Sequence, residues 1–199
     1  MAIQDVFITA VDIEDNVLTP EALATLCDTL TKRRQSEPDA AATRLVRSQR
    51  GGARIYLPTP VVDGPEMAPL AATIRSRADA LTRHLRGTGP ESCRLVNAWA
   101  DWLPDGGFHH VHAHENTSWA CVFYVDAAEC GPGNGDLQLI DPRPAAYVLS
   151  EPGFGQRRPP LSVPAETNRL VMFPGWMQHY VGTYRGSRER LALALNARL

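Results

Sequence analysis

Two periodicities of apolar residues divide this chain near Gly87. In "LTPEALATLCDTLTKRR", Leu23, Leu26, Cys27 and Leu30 recur at i, i+3, i+4 and i+7, the stripe of a helix with one buried face. Thr19 can cap that helix, and Pro20 suits its first position, where a backbone N–H would lack a partner anyway. A second helix is predicted from about Met67 to Arg86, with Leu70, Ile74, Leu81 and Leu85 on one side and Gly87 as its stop. A short extended run, "VFITAV", opens the chain. "ARIYLP" reads as a strand inside a weakly patterned segment from about Gln35 to Gly64.

After Gly87 the period shortens. Runs such as "CRLVNAWADW", "SWACVFYVDA", "GDLQLIDP", "AAYVL", "NRLVMFP", "QHYVGTY" and "RERLALALN" follow one another, punctuated by Gly, Pro and Asn. That spacing predicts an antiparallel sandwich or barrel of about eight strands, with the two helices laid against it. In the last run, side chains alternate between faces, so Leu191, Leu193, Leu195 and Ala197 share one side. That leucine face suits covering helices. Arg188, Arg190, Ala192, Ala194 and Asn196 share the other, a face of small residues with Arg190 among them, as a cavity wall would have.

Composition narrows the class. With 199 residues the chain suits a single domain: 1–90 as helical support and 91–199 as the β core. A hydrophobic content of 44%, 21% charge and a net charge of −2 argue against disorder and against nucleic acid or anionic membrane as partners. The start carries acids where a signal peptide would carry lysines, and no apolar run could span a bilayer, so a cytoplasmic protein is expected. Cys27, Cys93, Cys121 and Cys130 lie far apart and read as reduced thiols.

The chemistry is concentrated in "DGGFHHVHAHENTSW", which holds four of the six histidines. On a strand, i and i+2 point the same way, so His112 with His114, or His110 with His112, forms a two-toothed claw. A third ligand must come from elsewhere, and His179, in "FPGWMQHYVG", is the obvious source. Neutral imidazole suits iron, zinc, copper and nickel, so ligand type alone does not choose the metal. A polar loop that happens to be rich in histidine is the bland alternative, and His84, in the helical pattern, is read as a surface residue.

From about Val96 to Asn196, "GGFHHVHAHENTSWACVFYVDA", "GDLQLIDPR", "RLVMFPGWMQHYV" and "RERLALALN", in that order, resemble the iron(II)- and 2-oxoglutarate-dependent oxygenases. The similarity is greatest to a small bacterial group with a His-x-His…His pattern. The resemblance implies a double-stranded β-helix, jelly-roll or cupin-like, with N-terminal helices, and an Fe(II) site using 2-oxoglutarate and O2 to hydroxylate a small molecule, amino acid or peptide. By position His112 is the first ligand and His179 the distal one, and no catalytic residue is expected beyond the metal ligands. Arg190 falls where these enzymes place the cation that pairs with the 2-oxoglutarate carboxylate, and Arg188 is the fallback. A planar guanidinium suits that task through two parallel hydrogen bonds. Where the usual motif has Asp or Glu, this chain has His114. Either the site is three-histidine, or Glu115 or Asp101 supplies a carboxylate; His112, His114 and His179 are the favoured set.

Other residues take expected roles around that centre. Tyr124 and Asn196 would face the cosubstrate, while Arg143, Trp176 and Asn97 would meet substrate. The long Gly- and Pro-rich segment "RPAAYVLSEPGFGQRRPP", with Arg157 and Arg158, has the profile of a lid. A homodimer through an exposed sheet edge is compatible with such a fold. Three rival readings remain open. A cupin-type enzyme would share the fold without 2-oxoglutarate, but Ser118 and Trp119 stand where the cupin motif has Glu, and it needs no Arg190. A zinc hydrolase would require a base such as Glu115. A jelly-roll binding module would need no metal at all.

Overall fold

The computed structural model describes residues 8–36, 49–58, 62, 64–88, 93–143 and 160–199. Helix α1, Pro20–Ser36, opens on Thr19, whose Oγ1 accepts the Ala22 N–H at 3.3 Å, and it buries Leu26 and Leu30. Helix α2, Ala68–Arg86, buries Leu70, Ile74, Ala78 and Leu81. It ends on Gly87 at φ 75°, the left-handed turn that glycine adopts without a Cβ penalty. Leu85 departs from the expected stripe. It is exposed in the last turn, beyond the buried cluster, and borders a surface hollow with Trp176 and Leu199.

The strands form two antiparallel sheets. The larger runs β1 (Asp12–Glu14), β9 (Arg169–Pro174), β6 (Trp119–Asp126), β11 (Arg190–Arg198), β4 (Arg94–Leu103) and β3 (Ala53–Leu57). The smaller runs β2 (Gln49–Arg50), β5 (Phe108–His112), β10 (His179–Val181), β7 (Leu137–Leu139) and β8 (Leu161–Val163). Strand β1 lies just past the apolar "VFITAV" run, whose first two residues fall outside the described set. Arg77 of α2 binds both Asp12 and Glu14 and fixes the paired stretch there. "AAYVL", Arg157 and Arg158 also lie outside the described residues.

Alternation along β11 divides the interior in two. Leu191, Leu193 and Leu195 join Phe123, Met172, Ala98 and Ala100 in a core with Leu26, Leu30, Leu70 and Ile74 of the helices. Ala192 turns the other way, into a second core with Tyr124, Phe173 and Leu103 of the larger sheet and Leu137, Leu139, Val163 and Val181 of the smaller. Two sheets facing across a shared interior, one of them backed by helices, make a jelly-roll, the double-stranded β-helix. No helix among the described residues is long and apolar enough to cross a membrane.

Leu193 is fully buried under the helices, so Leu193→Ala removes about 2–5 kcal/mol of stability in urea denaturation. Leu85→Ala, at the exposed end of α2, changes it by less than about 0.5 kcal/mol.

Candidate metal centre

The centre is assembled by backbone pairing between distant segments. In the β5–β10 ladder His112 stands directly opposite His179. Beyond β5, the His114 N–H donates to the Gly175 carbonyl at 2.8 Å, and the Gly175 N–H donates to Ser118 O at 3.1 Å. A Cβ on Gly175 would sit 2.3 Å from the Thr117 carbonyl oxygen, so only glycine allows this approach. The result is that one nitrogen from each of His112, His114 and His179 lies within 4.8 Å of the other two. The ring of His112 is centred 4.2 Å from that of His179, and the ring of His114 5.0 Å from it.

Each imidazole is fixed from behind. Nδ1 of His112 donates to the His110 carbonyl at 2.7 Å, and Nδ1 of His179 to the Met177 carbonyl at 2.9 Å. Nδ1 of His114 donates to Asn196 Oδ1 at 2.6 Å. With Nδ1 as donor in all three, every Nε2 keeps its lone pair. Burial holds all three rings below the ordinary imidazole pKa, His114 at about 4 and His179 at about 3, so they are neutral in the physiological range. Three neutral imidazoles with inward lone pairs form a donor set that fits iron(II) and other divalent transition metals.

Deeper in the interior Arg190 is 2% exposed. Its Nη1 donates to the Gly135 carbonyl at 2.7 Å, its guanidinium carbon lies 5.5 Å from the Tyr124 ring centre, and its Nε has no partner. The Tyr124 hydroxyl is likewise buried without a partner. The expected fallback, Arg188, is an exposed residue paired with Asp126. Asn196 meets His114 with its Oδ1, rather than having that oxygen free for a cosubstrate.

Among the carboxylates, Glu115 is exposed and outside the triad. Asp101 is buried and committed: it accepts from Arg54 Nε and Nη2 at 2.5 and 2.7 Å and from Trp99 Nε1 at 3.1 Å. Trp176 is exposed and walls an open hollow of about 510 Å³ together with His114, Glu115 and Arg198. Arg143 lines a different hollow with Leu139 and Met177, and its guanidinium is already held by Asp141 at 2.5 and 2.9 Å. Asn97 stands opposite Asn196 in the sheet and is exposed.

Strict alternation in β5 misplaces two histidines. Three steps of β5, from His112 to His109, stand against the two steps of β10 from His179 to Val181, so β5 carries a bulge. His109 is thereby turned inward and His110 outward, which removes His110 with His112 as a claw. The Arg54–Asp101 pair and Trp99, whose ring is centred 5.5 Å from that of His114, were also not anticipated. An arginine in the apolar strand "ARIYL" was the available signal for the pair.

A family model described as "Putative 2OG-Fe(II) oxygenase" matches residues 97–196. No curated protein matches the sequence. Among solved structures, a Pseudomonas putida prolyl-4-hydroxylase superposes with a TM-score of 0.61 at 18% identity, covering 96% of this chain and 92% of that one. A Trichoplax adhaerens prolyl hydroxylase in complex with a hypoxia-inducible factor peptide gives 0.61 at 15%, covering 94% and 83%. HygX from Streptomyces hygroscopicus, with nickel and 2-oxoglutarate bound, gives 0.61 at 12%, covering 96% and 82%. At these identities the structures speak for the jelly-roll fold.

The unfolded chain protonates its imidazoles near pH 6.5, whereas the folded site holds His114 and His179 neutral down to about 4 and about 3. As pH falls below about 6.5 the unfolded state therefore takes up protons first, and metal-free protein loses up to about 1.4 kcal/mol per pH unit for each ring. Urea denaturation between pH 7.5 and 4.5 measures the slope, and replacing both residues with Asn reduces it, leaving the part due to His109 and His112.

Proposed function

The chain belongs to the 2OG-Fe(II) oxygenase family, enzymes that use Fe(II), 2-oxoglutarate and O2, and from that premise we propose which of its residues serve the reaction. His112, His114 and His179 hold the iron through Nε2. Arg190, with the Tyr124 hydroxyl, receives the far carboxylate of 2-oxoglutarate. When bound, iron and cosubstrate supply the oxidising power of O2, with release of succinate and carbon dioxide, and the outcome assigned here is hydroxylation.

The observation that carries this reading is the state of Arg190. Its guanidinium is buried, and among the described residues no carboxylate pairs with it. A buried cation without an anion is costly unless a ligand completes it. A dicarboxylate with one end at the metal and the other at Arg190 does so, and the guanidinium gives that end two parallel hydrogen bonds. A cupin-type site has no use for such a residue.

The chain's own residues handle the rest. The Nδ1 acceptors behind the three rings keep them oriented, and burial keeps them neutral. Phe173, its ring centre 4.7 Å from that of His179, and the apolar side chains of the inner core exclude water behind the site. Substrate, read as an amino acid, peptide or other small molecule, enters by the hollow that His114 shares with Trp176, where the indole offers a flat apolar wall.

Anaerobic addition of Fe(II) and then 2-oxoglutarate tests the assignment. A visible charge-transfer band that forms only with both, and that in Arg190→Ala needs at least about tenfold more 2-oxoglutarate, is the expected result. Metal demonstrably bound without that band would point to the cupin-type alternative. Asn196→Leu, which removes the acceptor behind His114, lowers Fe(II) affinity about tenfold or more in a competition titration.

A further inference from the structure

The bulge in β5 turns a fourth imidazole into the chamber. His109 pairs with Val181, is 9% exposed, and has its ring centred 6.3 Å from that of His112. Its Nε2 is buried without a hydrogen-bond partner. The nearest carboxylate oxygen, Asp101 Oδ2, is 3.9 Å away, beyond hydrogen-bond reach, and already accepts from Arg54 and Trp99.

The pairing of the strands fixes where this unmet group stands. His179 lies opposite Leu139 on β7, and Val181, the partner of His109, lies opposite Leu137. The chain then leads back from Leu137 to Gly135, whose carbonyl holds Arg190. His109 therefore sits one pleat from the metal triad, on the way to the arginine. At that depth Ala192 lies between Tyr124 and Asp101 in the larger sheet, and its small side chain leaves the interior open. The Tyr124 hydroxyl and Arg190 Nε also lack partners, and both of those groups donate. A ligand rich in acceptor oxygens would meet all three.

We propose that His109 is a cosubstrate-binding residue, its Nε2–H donating to a carboxylate oxygen of 2-oxoglutarate stretched between the triad and Arg190. This rests on the reading of the site given above. A carboxylate can only accept, so binding selects the tautomer protonated at Nε2. Asp101 does not repel the ligand, because Arg54 holds it with two hydrogen bonds.

The test is the anaerobic titration of Fe(II)-loaded protein with 2-oxoglutarate, followed by its charge-transfer band. It is run on the unmodified chain, His109→Leu, His109→Phe and His109→Gln, with Fe(II) affinity and melting temperature measured on each. Loss of a buried hydrogen bond to a charged group predicts a tenfold or greater rise in the 2-oxoglutarate Kd for Leu and Phe. Fe(II) affinity stays within about twofold, and Gln, which keeps a donor, restores most of the cosubstrate affinity. The two donorless variants differ in shape, so a folding failure in one leaves the other to decide. Unchanged 2-oxoglutarate binding in a folded Leu or Phe variant overturns the proposal, as does loss of iron in place of loss of cosubstrate. If the unmodified chain binds Fe(II) but forms no band with 2-oxoglutarate, the underlying reading falls and this inference with it. A band present in the unmodified chain and equally strong in the variants defeats the role of His109 alone.

Discussion

A neutral imidazole has one donor nitrogen and one acceptor nitrogen, so placing an acceptor at Nδ1 fixes the lone pair at Nε2. In this protein that constraint is met three times, by two backbone carbonyls and one asparagine side chain. Two of those acceptors, the carbonyls of His110 and Met177, lie two residues before the ring they orient, so β5 and the turn before β10 carry their own support. The third is different in kind. Asn196 reaches His114 from β11, and the larger sheet thereby fixes a ring that the end of the smaller sheet supplies. The register of β11 between β4 and β6 thus sets the orientation of the His114 ring.

The same strand explains why the protein has a chamber. The leucines of β11 sit under α1 and α2, in a core that can be close-packed because both sides are apolar. Ala192 and Ala194 lie on the opposite face, and each small side chain leaves room that a larger residue would fill. Into that room the sheet turns groups that would be expensive in an ordinary core. Arg54 and Asp101 satisfy each other, whereas Arg190, Tyr124 and His109 each retain a buried polar atom without a partner. A buried ion pair adds little net stability and is costly to break. The Arg54–Asp101 pair is better understood as a fixture of the chamber wall than as a source of folding energy.

Much of this was legible in the sequence because it follows from short-range periodicity. Leu26, Leu30, Leu70 and Ile74 announce the helices, and the alternation of "RERLALALN" separates Arg190 from the leucines without any three-dimensional information. His112, His114 and His179 stand out because so few histidines are shared among so few positions. What escaped depends on pairing between strands. The bulge that exchanges the roles of His109 and His110 arises from the register of β5 against β10, and no pattern in "FHHVH" signals it. Arg54 and Asp101 lie opposite each other only once β3 and β4 are aligned. Leu85 keeps the helical phase but lies past the end of what α2 covers, which a periodicity cannot reveal.

Having a histidine at position 114, where a carboxylate is usual, changes the charge of the chamber more than its shape. Three neutral imidazoles leave both charges of a divalent ion uncompensated, whereas a carboxylate ligand would cancel one. Asp101 cannot take that part, since Arg54 and Trp99 occupy its oxygens and hold it away from the triad. The acceptor behind His114 is an amide rather than a carboxylate, so it orients the ring without adding negative charge to it. With a divalent ion at the triad and Arg190 as a second cation, the chamber would carry positive charge at two separated poles, with buried polar atoms that lack partners between them. Electrostatics then favours a ligand with an anionic group at each end. A dicarboxylate cosubstrate bound between the two poles would supply the negative charge that a ligand carboxylate would otherwise provide.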